Sequence, residues 1–505
     1  MILFGVLIRC AGLFRPLLGN FAVYGTAQAM IAKIFVEQGF SNWLAPQINV
    51  IVSGKPGLIL LYYPVSSLLV AILHVLTRVP LDVLGRAQAV FFFALSALYL
   101  SRLVRRLLGE PHALLSTAVF SLLPLTVIYG QSFQNEMATV FFTLLFLDHL
   151  MICLQQFTLR HAGLAALGLS FVLLTRPNNL YLGLPALYLI FSGPAAQRWK
   201  RLRWGTGIAV FSALVPGLWY GHIWNLSQAN PNIYSTLFAQ LMVRSSFVST
   251  MALQGGYYRE IFGQLMGIVL TPPGLLFFIL GFWSCARKRS GGFFLLWVAG
   301  FLASSLLIPR KLIEHNFYWL HFVIPASVVI ADGFLRIKSR KMRWAVWGIM
   351  ALCSFRYFYH PAFVTPASDR AVPEVAAALK ELTDKHRDRI VVQGTHTLLY
   401  YADRYGSSMA MQNPSGAVSE YYKFMNWQQL SKEQWQRRNK AFERPETKLE
   451  YFRENEGITH LAISDYAAFV PTPMAVYLRH HYKAVFDKAG VGLVYDLRSR
   501  LIVSD

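Results

Sequence analysis

The sequence predicts an all-α polytopic membrane domain over residues 1–360, with about eleven transmembrane helices plus outer juxtamembrane helices, followed by a soluble α/β domain over residues 361–505. Three observations predict it. Hydrophobic residues make up 55% of the 505-residue chain against 14% charged ones, and a mean hydropathy of +0.41 is far too apolar for an average soluble domain. Apolar stretches of spanning or near-spanning length recur up to residue 360, and in hydrocarbon each must satisfy its own backbone hydrogen bonds, which favours helices. After Pro361 the composition turns polar and helix-like and strand-like patterns alternate.

The net charge of +22 does not indicate nucleic acid, because its clusters sit in short loops between apolar segments. Arg102, Arg105 and Arg106, then Arg198, Lys200, Arg201 and Arg203, then Arg287, Lys288 and Arg289, then Arg336, Lys338, Arg340, Lys341 and Arg343 form the basic turns expected of cytoplasmic loops. Cys10, Cys153, Cys285 and Cys353 fall in apolar segments without paired spacing and read as small core residues. The opening stretch MILFGVLIRCAGLF lacks a cleavable signal pattern and reads as a short anchoring helix with Arg9 midway.

With basic loops placed in the cytoplasm, spans fall near 1–18, 84–103, 112–129, 138–156, 162–175, 179–193, 205–225, 262–283, 291–309, 317–334 and 343–359. The later loops alternate sides only if residues 57–77 do not cross, so that run, interrupted by Pro64, reads as a re-entrant or juxtamembrane helix on the outer face. An odd number of spans puts the C-terminal domain outside. It also gathers residues 19–56, the loop 130–137, the loop 225–263 and residues 310–315 on that face. In the soluble domain, helical signals cover 373–385, 447–456 and 474–481, and strand signals cover 389–392, 460–464 and 492–497.

Ionisable residues at or near membrane depth are expensive to keep, which makes them the functional candidates. The acids on the outer side are Glu37, Glu136, Glu260 and Glu314, with Asp82 and Asp148 close to or within helices. Glu136, in the loop QSFQNEM between two spans, could act as a general base, help bind a divalent metal such as Mg²⁺ or Mn²⁺, or simply cap the next helix. The segment PRKLIEHNFYWLHFVIP sets Arg310, Lys311, His315 and Tyr318 at the mouth of a span, where they could hold a phosphate or serve as an interfacial anchor. Lys55, Arg244 and Arg259 are further outer-face cations open to the same two readings.

The arrangement resembles the polytopic GT-C class glycosyltransferases, in particular bacterial relatives of the dolichyl-phosphate-mannose protein mannosyltransferases (family 39-like) and of the lipid A aminoarabinose transferase. LFRPLLGNFAVYGTAQAMIAKIFVEQGF is similar to that family's first outer loop, and LLYYPVSSLLVAIL to the juxtamembrane helix after it. SRLVRRLLGEPHALLSTAVFSLLPLTVIYGQSFQNE resembles the basic turn, proline-containing helix and acid-bearing second loop. LLTRPNNLYLGLPALYL and EHNFYWLHFVIPASVVIADGF resemble later signatures. VVQGTHTLLYYADRYG is similar to a strand, helix and tyrosine-rich turn in relatives.

The resemblance implies inverting transfer of a hexosyl or pentosyl group from a polyprenyl-phosphate donor to a glycan, lipid or protein acceptor of the cell envelope. It implies a bacterial inner membrane with the C-terminal domain periplasmic. It places Glu136 as the second-loop acid and Arg310, Lys311, His315 and Tyr318 near the donor phosphate. The chain departs from the family where a first-loop aspartate is usual: VYGTAQA has none, and Ala27 or Gln28 stands there. Tyr62 stands near the place of a second expected acid. Losing such a base costs about 10²- to 10⁴-fold in rate unless replaced, so either Glu37 substitutes or Glu136 acts alone. The competing readings are a non-catalytic relative that binds lipid-linked saccharide, and a transporter or flippase.

Overall fold

Segments that bury apolar side chains all round must close their backbone bonds internally, and as far as residue 363 the structure meets that demand mainly with helices. The structure, a computed structural model, describes residues 1–19, 22–52, 54–230, 232–236, 255–288, 290–394, 396–409 and 444–501, with the side chain of Arg310 also outside that set. Among the described residues, helices Leu81–Leu108, Glu136–Gln156, Ala195–Ala229 and Asn316–Leu335 are long and apolar enough to cross a membrane, and the pair Gly255–Val269 and Pro272–Ala286, bent by 104°, adds a fifth if taken as one span. Helices stand at the other apolar stretches too, several of them short, such as Leu159–Thr175 and Gly291–Leu307, although Arg340–Phe363 is an unbroken 24 residues.

One break has a clear cause. Helix Glu110–Leu122 stops before Pro124, which has no N–H to give the Phe120 carbonyl, and Thr126 Oγ1 donates to that oxygen instead at 2.5 Å. Arg9, at the end of helix Ile2–Cys10, donates to Gly5 O (2.7 Å), Ser121 O (3.1 Å) and Thr126 O (3.2 Å) and lies 3.4 Å over the Phe93 ring. An arginine inside the apolar bundle is thus held by three carbonyls, one of which, Ser121 O, lies at the break. The helix expected over 1–18 is correspondingly short.

Residues 57–77 divide in two. Strand β1 (Gln47–Val52) turns at Gly54, whose φ is +79°, into the antiparallel strand β2 (Lys55–Leu60), so the start of the run expected to be helical is extended. Pro56 and Pro64 remove donors on either side, and only Val65–Thr77 is helical, too short for the roughly 20 residues that a span requires.

The strands join one mixed sheet with β3 (Ile233–Thr236), β4 (Ile390–Gln393), β5 (Gly406–Ser408), β6 (His460–Ile463), β7 (Tyr482–Lys488) and β8 (Gly492–Arg500), in the order β3-β2-β1-β5-β4-β6-β8-β7. Val50 lies opposite Gly406 in the parallel β1–β5 pair, which links the early hairpin to the C-terminal strands. The sheet therefore crosses the boundary at residue 361 that composition suggests. Helices Val372–Leu382, Pro445–Asn455 and Pro473–His481 and strands β4, β6 and β8 lie within about three residues of their expected positions.

The same chain segments share one apolar core. Met30, Ile31 and Phe35 of helix Ala22–Glu37 and Val70 of Val65–Thr77 are buried with Val375, Leu379, Leu398, Leu399 and Ile390. Polar links reinforce it: Asp82 accepts from Tyr400 Oη (2.5 Å) and Tyr401 Oη (2.8 Å), and Asp369 accepts from Gly19 N (2.8 Å). Helix Ala22–Glu37 is thereby clamped from both sides, which fixes the position of Tyr24 in its first turn.

Candidate active site

The site begins with an antiparallel helix pair. Helix Glu136–Gln156 runs to a left-handed turn at Phe157 and returns as Leu159–Thr175, so its first residue faces the last turn of its partner. Thr139 Oγ1 donates to Thr175 Oγ1 at 2.9 Å and sets the register. Pro177 disfavours helical backbone at the residue before it, and Arg176 accordingly leaves the helix with φ −151° and ψ 83°. Its guanidinium meets the Glu136 carboxylate through two bonds, Nε to Oε2 at 3.2 Å and Nη2 to Oε1. The pair is nearly dry, with side-chain exposures of 8% for Arg176 and 3% for Glu136.

Aromatic rings enclose the exposed side of this arginine. Its Cζ lies 4.6 Å from the Phe317 ring centroid and 5.1 Å from those of Tyr62 and Tyr318. His315 stacks on Phe317 with centroids 5.2 Å apart, and its ring nitrogens lie 3.2 and 3.3 Å from Tyr24 Oη. Enclosure by these rings, with Lys311 adding to it and Glu314 opposing, brings the imidazole pKa down to about 4, so the ring is neutral at pH 7.

These groups form the head of a cavity of about 800 Å³. Tyr24, Tyr62, Arg176, Lys311, His315 and Tyr318 line one end, and Leu61, Leu180, Leu184, Ala303, Leu307 and Ile308 line much of the remainder. Such a space suits a ligand with a small anionic head and a long apolar tail: the arginine matches a phosphate, and leucine-rich walls exclude water from the tail.

Glu136, Lys311, His315 and Tyr318 of the sequence-derived candidates are thus brought together. Glu136 backs the cavity and does not line it, because both its oxygens are committed to Arg176. Glu37 is a correction. It lies at the far end of the helix from Tyr24, about 20 Å away at 1.5 Å per residue, where it pairs with Lys385 at 2.8 Å and with Lys33 at 4.0 Å. It cannot replace a first-loop acid at the cavity. Lys55 is exposed beside the β1–β2 turn and Arg259 is exposed on helix Gly255–Gln264, both away from the cavity lining. Arg244 and the side chain of Arg310 lie outside the described residues. Asp82 is held by two tyrosines, and Asp148 pairs with Arg106 and, at 3.5 Å, Arg102.

Arg176 and Tyr24 were not singled out by sequence reasoning. The signal for Arg176 was a solitary cation before a proline between two apolar runs, in LLTRPNNLYL. The described lining of the cavity holds no carboxylate, both Glu136 oxygens are bonded to Arg176, and among the described residues no three His, Cys, Asp or Glu side chains are grouped to hold a divalent ion.

Residues 55–220 match the family model described as dolichyl-phosphate-mannose-protein mannosyltransferase, a stretch that includes Glu136 and Arg176. Among solved structures, ArnT from Cupriavidus metallidurans bound to undecaprenyl phosphate is similar with a TM-score of 0.64 at 14% identity, covering 98% of this chain and 97% of that one. The apo oligosaccharyltransferase of Archaeoglobus fulgidus gives a TM-score of 0.59 at 10% identity over 98% of this chain and 74% of that one. Arabinofuranosyltransferase AftD from Mycobacteria gives 0.54 at 12% identity over 98% and 41%. No curated protein matches by sequence. The shared architecture is the GT-C membrane fold, and the chain is a multi-pass membrane protein.

Proposed function

We propose that this GT-C-fold chain is a membrane glycosyltransferase that moves a sugar from a polyprenyl-phosphate donor to a cell-envelope acceptor, a glycolipid, polysaccharide or protein, at the non-cytoplasmic face. The observation that carries the reading is the cavity of about 800 Å³ with one desolvated arginine at its head and leucine-rich walls behind it. Likeness to a protein solved with undecaprenyl phosphate supports the donor class. The clustering of arginine and lysine in the turns at the end of the bundle away from the sheet supports the assigned face.

In this reading Arg176 holds the donor phosphate and takes up the charge that grows on it as the sugar–phosphate bond breaks. Glu136 fixes the guanidinium plane, and Lys311 adds a second cation at the head. Attack from the side opposite the phosphate inverts the anomeric centre. The test uses membranes containing the protein and a panel of radiolabelled polyprenyl-phosphate sugars. Transfer to endogenous acceptors is expected, with a loss of at least a hundredfold in Arg176→Ala. Equal transfer by that variant overturns the reading.

The absence of a carboxylate from the described cavity lining favours a second reading, a binder of lipid-linked saccharide without transferase activity. It predicts saturable binding of the donor and no labelled product.

A further inference from the structure

The reaction proposed above needs a proton acceptor, and the described cavity lining offers no carboxylate for it. Glu136 is closed off by Arg176, Glu37 is a helix length away, and the first-loop segment brings Tyr24, not an acid, to the cavity head. We infer that His315, oriented by Tyr24, is the base that takes the acceptor's proton. The inference rests on the glycosyltransferase reading.

Geometry supports this assignment. His315 lines the cavity head together with Arg176, and its ring is held from two directions, face-on by Phe317 and at its edge by Tyr24. The Tyr24 hydroxyl lies against both ring nitrogens and the ring also meets the Glu314 backbone, so an incoming O–H or N–H reaches a ring nitrogen by taking the place of the Tyr24 hydroxyl. The ring is fixed before substrate arrives, since Tyr24 belongs to the helix clamped between the bundle and the sheet.

The charged and titratable groups around it are Lys311 and Glu314 from its own short helix, Arg176 from the facing pair, Tyr24 from the clamped helix, and Tyr318. Burial, with Lys311 and Arg176 adding to it, outweighs Glu314 and keeps the imidazole neutral at pH 7. The step balances. The acceptor oxygen or nitrogen forms the bond to the anomeric carbon, the carbon–oxygen bond to phosphate breaks with its electron pair going to the phosphate, and the acceptor's proton passes to the imidazole. The resulting imidazolium faces a polyprenyl phosphate that has just gained negative charge, which favours protonation at that moment.

The experiment compares the full-length parent, His315→Gln, His315→Gly and Tyr24→Phe in detergent or reconstituted membranes. Undecaprenyl phosphate binding is measured by thermal shift, and transfer from the radiolabelled polyprenyl-phosphate sugar that serves the parent is measured from pH 3 to 9. We expect His315→Gln to bind undecaprenyl phosphate within about twofold of the parent, to lose about 10²- to 10⁴-fold in transfer, and to lose the acid-side fall of the parent's pH profile. Added imidazole is expected to restore transfer in His315→Gly at least tenfold, which a purely structural role would not produce. Tyr24→Phe should lower transfer about tenfold with lipid binding unchanged. Parental transfer by His315→Gln, or loss of transfer together with loss of lipid binding and no imidazole rescue, overturns the assignment and leaves His315 a phosphate-binding group. A parent that neither binds undecaprenyl phosphate nor transfers sugar instead overturns the glycosyltransferase reading itself.

Discussion

Glu136 and Arg176 face each other across an antiparallel helix pair as a two-bond ion pair, with Nε 3.2 Å from Oε2, in a site from which water is almost excluded. One residue opens a helix and the other follows the end of the next, so the turn at Phe157 and the proline at 177 together decide that they meet. This pairing determines which charge the cavity presents. It is cationic because the carboxylate lies behind the guanidinium.

Removing one partner of such a pair leaves an uncompensated buried charge, which costs about 3–5 kcal/mol. Glu136→Ala is therefore expected to lower the thermal midpoint in detergent by several degrees, and Glu136→Gln by less. The double variant Glu136→Leu/Arg176→Met should recover most of the stability while remaining inactive. A double variant no more stable than Glu136→Ala would refute the pairing as the source of the loss.

Helices Pro272–Ala286 and Leu320–Phe334 touch backbone to backbone. A Cβ at Gly281 would overlap the Val329 carbonyl oxygen, and one at Gly333 would overlap that of Phe277. Small residues allow such close crossing where no hydrophobic drive holds helices together in lipid. Gly281→Leu and Gly333→Leu should each reduce the yield of monodisperse protein in size-exclusion chromatography, whereas Gly207→Leu, at an open position, should not.

Glu450 provides a pH prediction outside the membrane. Burial alone would raise its pKa, but bonds from Tyr482, Arg500 (2.8 Å), Tyr477 (2.8 Å) and Arg453 (2.9 Å) outweigh it and bring the value to about 2, against an ordinary 4.5. A folded-state pKa below the unfolded one contributes stability that is fully present above about pH 4.5 and is lost as pH falls through 2. The gap in thermal midpoint between parent and Glu450→Gln should thus be large at pH 7 and shrink at pH 3.

Asp82 ties the bundle to the tyrosines at 400 and 401. Asp82→Ala leaves two enclosed phenols without their acceptor, at a cost of about 1–3 kcal/mol. Limited proteolysis should then cut between residues 361 and 409 at lower protease concentration than in the parent, and Asp82→Asn should fall between the two.

The helical part was legible because periodicity is secondary to length in lipid: an apolar run of adequate length can only be a helix. The same rule misled at residues 57–60, where an apolar run is a strand because it lies in the sheet and not in hydrocarbon. The pair INVIV and KPGLIL around Ser53 and Gly54 had the form of a hairpin. His315, Tyr318 and Lys311 were legible since aromatic and basic residues crowd one short segment. Arg176 was not, because its meaning depends on Glu136 lying opposite it, and that pairing follows from how two helices return on each other. Glu37 misled for a related reason: closeness to the first loop in sequence became a helix length of separation in space.

The β1–β5 pairing imposes an order on biogenesis. When Val50 leaves the ribosome, the strand that will lie beside it, around Gly406, has not been made, and every apolar helix of the bundle must be threaded first. Until then β1 exposes an open edge, the kind of surface that recruits stray strands from other chains. Synthesis therefore ends by protecting what it began with, and a chain released early would combine a finished bundle with an unguarded edge.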